Sequence, residues 1–69
     1  MSDLVEAARF NYPYQADLFR IFLEQHGVEA FVFDTGSAGY SDGAMVGVRV
    51  VVLDEDLEEA RRLFREYER

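Results

Sequence analysis

Two periods of apolar residues alternate along the chain, and their order predicts a fold. Residues Leu4 to Phe10 alternate weakly between apolar and polar and read as a first strand, which Asn11 ends. From Pro13 to His26 the apolar positions recur every three or four residues. Ala16, Phe19, Phe22, Leu23 and His26 share one face of a predicted helix. The period returns to two from Val28 to Phe33, with Val28, Ala30 and Val32 on one side and Glu29, Phe31 and Phe33 on the other. A Gly- and Ser-rich stretch runs from Asp34 to Val46. Gly47 to Leu53 then predicts a third strand, with Val48, Val50 and Val52 on one side and Arg49, Val51 and Leu53 opposite. Asp54 to Tyr67 predicts a second helix whose buried stripe is Leu57, Ala60, Leu63, Phe64 and Tyr67.

The helix ends carry their own signals. Pro13 suits the first helical position, where its missing N–H is no loss. The residue before a proline avoids helical backbone, which makes Tyr12 the formal N-cap, with Asn11 as the alternative. Gly27 fits a left-handed C-terminal stop. The second helix opens on Asp54, Glu55 and Asp56 and places Arg61, Arg62 and Arg65 further on, matching the helix dipole.

The order β-α-β-β-α spans one α+β domain over residues 1–69 of ferredoxin-like type without its last strand. The expected strand order is 1-3-2, and right-handed crossovers place both helices on the same face. Each inner strand nevertheless carries apolar residues on both sides. The helix-free face, with Phe31, Phe33 and Val51, therefore asks for a cover. So does a second stripe on the first helix formed by Tyr14, Leu18 and Ile21. The expectation is a homodimer or higher homo-oligomer, and the open edge of the first strand is a further place for pairing.

Composition sharpens that expectation. A 69-residue chain buries only about 60% of its unfolded surface. With no Cys and a single His, disulfides and ordinary zinc sites give no support. The 49% hydrophobic and 14% aromatic content suits an extra interface. A formal charge of −7 disfavours phosphate backbones and anionic membranes, so neither nucleic acid nor membrane is an expected partner. The chain shows no basic leader and no apolar run of the ~20 residues that span a bilayer, and a cytoplasmic location is expected.

Candidate chemistry is sparse. In the 34–46 stretch, backbone N–H groups around Gly36, Ser37, Gly39, Tyr40 and Ser41 can cradle a small anion. The stretch lacks the Gly-Lys-Ser/Thr ending of a P-loop, and a mobile connection between strands is the plainer reading. The acids at 54–59 lack calcium-loop spacing and fit helix-end electrostatics. His26 has no catalytic partner at a recognisable spacing and fits the end of a helix. Tyr12 and Tyr14 suit an interface rim or a planar ligand. Arg9 and Arg49 lie in strands, where they can cross a subunit seam, pair with Glu6 or Glu29, or bind an anion. No cofactor and no metal are expected.

Several motifs resemble one family. Phe10-Asn11-x-Pro13-x-x-Ala16-x-Leu18 is followed by Leu23-Glu24-x-x-Gly27-Val28-x-Ala30-Phe31 and by Asp34. Gly47-Val48-Arg49-Val50-x-Val52 and Glu55-Asp56-x-x-x-Ala60 complete the set. In order and spacing these are similar to a small bacterial family labelled putative prokaryotic signal-transducing protein, whose fold is similar to nitrogen-regulatory PII proteins. The resemblance implies a PII-like βαββα unit that associates through its sheet, and it implies no reaction. The chain departs from the family pattern at Tyr12, where a short polar residue is usual. It departs again in its small-residue-rich loop, where relatives carry larger apolar residues. These residues read as a non-enzymatic binding or regulatory module acting as a homo-oligomer, with a protein partner as a further option. The alternative is a small-molecule or anion sensor using loop 34–46.

Overall fold

The computed structural model describes residues 3–34 and 47–68. Their order is β1 (Leu4–Phe10), α1 (Pro13–Gln25), β2 (Ala30–Asp34), β3 (Val48–Leu53), a 3-10 turn (Asp54–Asp56) and α2 (Leu57–Glu68). The strands form one antiparallel sheet in the order β1-β3-β2. Both helices pack on one face of it. Ala16, Phe19 and Leu23 of α1 and Ala60 and Leu63 of α2 share a core with Ala8, Ala30, Val48, Val50 and Val52. Phe10, Phe19, Phe64 and Tyr67 form an aromatic cluster between the helices and β1, with centroid distances of 5.0 to 6.0 Å.

Local chemistry explains where the elements begin and end. Tyr12, extended at φ −129° and ψ 146°, is the N-cap of α1, and Pro13 follows it as the first helical residue. The Tyr12 side chain makes no capping hydrogen bond. Its carbonyl accepts from the N–H groups of Gln15 and Ala16 at 3.1 and 3.3 Å. At the other end Gly27 takes φ +86°. The Val28 N–H donates to the Leu23 carbonyl at 2.9 Å and the Gly27 N–H to the Glu24 carbonyl at 3.0 Å. This is a Schellman stop, and Leu23 and Val28 meet in the core as that motif favours.

The stop also corrects a boundary. The expected second strand began at Val28, but the Val28 N–H is engaged by the helix end, so sheet pairing starts at Ala30 and runs on to Asp34. The second helix differs too. Asp54–Asp56 wind as a 3-10 turn, and the α-helix proper spans Leu57–Glu68. The Asp54 N–H donates to the Asp3 carbonyl at 2.7 Å, tying this turn to the start of β1.

One feature of β1 has no counterpart in the simple alternation. Its register with β3 shifts between Glu6 and Ala8, so Ala7 is an extra residue, a β-bulge. Val5, Ala7, Ala8 and Phe10 all turn toward the helices, as their packing against the core shows.

Candidate functional site

The site is built from the face of the sheet that the helices leave bare. Registers fix its layout in rows across the strands. The first row joins Leu4 to Leu53, the second Glu6 to Val51 to Phe31, and the third Arg9 to Arg49 to Phe33. Phe31 and Phe33 are 38% and 45% exposed and Leu4 is 47% exposed, values usual for charged residues rather than for large apolar ones. Val51 differs from its row neighbours. It stands on this face yet is only 5% exposed, because it lies on the central strand between Glu6 and Phe31. As an interface residue it offers little free surface, and the reach of the face comes from the two phenylalanines and Leu4.

The charges on this face are asymmetric. The bulge at Ala7 brings Glu6 and Arg9, three residues apart, onto one side of β1. Arg9 Nη2 donates to Glu6 Oε1 at 3.0 Å. In a regular strand residues three apart point to opposite faces, so the ion pair depends on the bulge. The hydrogen bond from Arg9 is the main cause that holds the Glu6 carboxyl below its ordinary value, opposed by desolvation and aided by the charges of Arg9 and Arg49. Glu6 thus serves two guanidinium groups that face each other across β1 and β3.

Arg49 is half-buried, and among the described residues its Nε is buried without a hydrogen-bond acceptor. Gly47 shapes the same end of the face: a Cβ there would lie 3.2 Å from Arg9 Cδ, so the glycine lets the arginine stem lie close over it.

The remaining sequence-predicted residues fall elsewhere. Tyr14, Leu18 and Ile21 form an exposed stripe on α1, 63%, 53% and 38% exposed, on a surface separate from the sheet face. The Tyr14 ring stacks on Tyr12 at 6.0 Å. His26 is the C-cap of α1, and its Nδ1–H donates to the Phe22 carbonyl at 2.9 Å, a structural role. Glu55 and its acidic neighbours open the 3-10 turn and α2, and among the described residues no three His, Cys, Asp or Glu side chains gather as a metal site. Among the described residues no helix is long and apolar enough to cross a membrane. Gly36, Ser37, Gly39, Tyr40 and Ser41 lie outside the described residues, so only Arg9 and Arg49 of the proposed anion contacts are placed. Sequence reasoning missed the bulge, and so offered Glu6 only as one of several partners for the strand arginines; the structure joins it to Arg9. The available signal was two opposite charges at an odd spacing within a strand.

A family model described as putative prokaryotic signal transducing protein matches residues 4–68. Neither a search of curated proteins nor one of solved structures returned a match.

Proposed function

The chain belongs to the family of putative prokaryotic signal transducing proteins, and from that membership and its bare sheet face we propose a non-enzymatic binding or regulatory module that acts as a homo-oligomer in the bacterial cytoplasm. The regulatory part of this reading draws on the family description and on a PII-like reading of the βαββα order. The assembly part draws on one observation: Phe31 and Phe33 stand exposed beside Val51 on the side of the sheet that no helix covers. Burying such a surface stabilises an assembly by about 25 cal/mol per Å² of apolar area, less the cost of ordering two molecules into one.

Phe31→Asp tests it. Phe31 lies outside the helix-side core, so the variant is expected to fold as a protomer and to lose assembly in sedimentation velocity at tens of micromolar. A Phe31→Asp chain that sediments as wild-type oligomer refutes the sheet-face interface. The sensor reading keeps one placed element, the opposed pair Arg9 and Arg49. Chemical-shift titration with phosphorylated metabolites separates it from the module reading.

A further inference from the structure

The helix-free face carries apolar residues in every row and unlike charge at its two ends along the strands. At one end stand Arg9 and Arg49, opposite each other, with Glu6 paired to Arg9. That end has two guanidinium groups for one carboxylate, and the Arg49 Nε lies buried without an acceptor among the described residues. A buried donor left without an acceptor is costly, and two like charges opposite each other add to that cost. At the other end the charge is a single acid, Glu29. Glu29 stands between Val28 and Ala30, which both enter the core, and is itself exposed on the opposite side. Leu4 and Leu53 pair across the same end of the face. Glu6, Val51 and Phe31 form the row between the two ends.

An isologous dimer needs a patch that complements itself. With the strands of the two sheets aligned, two ways of stacking the faces keep two-fold symmetry, and the charges distinguish them. With the axis along the strands, each row meets its own copy, and Arg49 of one protomer is held against Arg49 of the other. With the axis across the strands, the rows reverse. Row three then meets row one, the arginine end of each protomer lies over the Glu29 end of its partner, and the middle rows meet at the axis, Val51 and Phe31 on their own copies and each Glu6 neutralised by its own Arg9.

We infer that a second copy of this chain docks face to face with the two-fold axis running across the strands, so that the accessible part of the Arg49 guanidinium of each protomer meets the Glu29 carboxylate of the other. Stacked sheets lie about 10 Å apart and neighbouring strands about 4.8 Å apart. An arginine in the β3 column therefore reaches a glutamate in the neighbouring β2 column across the seam. Complementary charge at the two ends fixes the orientation, and the phenylalanines supply the contact area. The inference rests on the homo-oligomer reading above and adds to it a symmetry axis and a charge pair.

The test is a charge swap followed by sedimentation velocity over a concentration series. Glu29→Arg places a cation against the arginine end, and Arg49→Glu places a carboxylate against the acidic end. Each is expected to raise the dimer Kd by roughly tenfold or more, and the double variant Glu29→Arg/Arg49→Glu to recover most of the loss. Far-UV circular dichroism checks folding. If Arg49→Glu fails to fold, the exposed-site variants Glu29→Arg and Glu29→Gln, with weakening graded by charge, carry the test alone. Single reversals that leave Kd unchanged, or a double variant weaker than both, overturn the arrangement even where Phe31→Asp dissociates the dimer and so upholds the sheet-face reading. A dimer that Phe31→Asp leaves intact overturns both. So does a wild-type chain that stays monomeric, and shifts of its Arg9 and Arg49 resonances with inorganic phosphate would then assign the arginines to a small anion.

Discussion

Val50→Ala tests whether the core is one-sided. Val50 is fully buried on the central strand, opposite Ala8 on β1 and Val32 on β2. Removing its two methyl groups forfeits about 1.6 kcal/mol of transfer free energy at ~0.8 kcal/mol per group. Ala8 has no side chain long enough to close the gap, so a cavity contribution brings the loss to about 2–3 kcal/mol. A domain of this size holds roughly 3–5 kcal/mol in all. The variant is therefore expected to lose about half its stability and to melt roughly 10–20 °C lower.

The control is the next residue. Val51 is also buried, but it lies outside the helix-side core, where loss of its methyls leaves a shallow surface dent rather than an enclosed void. Val51→Ala is expected to cost the protomer about 1 kcal/mol. Urea denaturation followed by far-UV circular dichroism measures both. Runs at several protein concentrations separate protomer stability from assembly, since dissociation makes stability depend on concentration. A Val51→Ala loss equal to or larger than that of Val50→Ala at the lowest concentration would refute a core confined to the helix side.

Further outcomes follow from local features. Gly27 has φ +86° and open space where a Cβ would stand, so Gly27→Ala is expected to cost about 1 kcal/mol from backbone strain alone, and Gly27→Asn less, in the same denaturation assay. Leu18→Glu on the exposed α1 stripe is expected to leave both folding and assembly unchanged; dissociation by this variant in sedimentation velocity would move the interface to the helix. Glu6 has a lowered pKa, so its stabilisation is complete above the unfolded-state carboxylate value and disappears as the pH falls through the lowered one. Wild type is thus expected to be slightly more stable than Glu6→Gln at pH 7 and equal to it near pH 2. Added salt shrinks the gap, because both partners of the ion pair are largely exposed.

The fold was legible where one residue type answers one local demand. Gly27 announced the end of α1, and the odd-even split of Val48 to Leu53 assigned the helix side and the bare side of β3. Legibility failed where two demands met on one residue. Val28 has the apolar character of a strand residue, but the helix stop engages its N–H, so β2 begins later than the pattern implies. Val51 was legible as facing away from the helices, whereas its near-complete burial depends on neighbours from two other strands, which no local pattern encodes. For the candidate site, the phenylalanines could be read directly from alternation. The joining of Arg9 to Glu6 could be read only as one option among several, and the opposition of Arg9 to Arg49 not at all, because both follow from pairing register.

The extra alanine in β1 bears on what the protein avoids. β1 is an edge strand, and Leu4–Phe10 contains neither lysine nor proline to discourage a passing chain. A flat edge of this composition is a template for open-ended strand addition. The kink at Ala7 interrupts that ladder near its centre and increases the local twist, so another molecule finds no long straight stretch to zip onto. Excising this single residue would leave Glu6 and Arg9 two apart and still on the bare side, but it would straighten the edge and is expected to give a chain prone to fibres. In this segment the number of residues matters more than their identity.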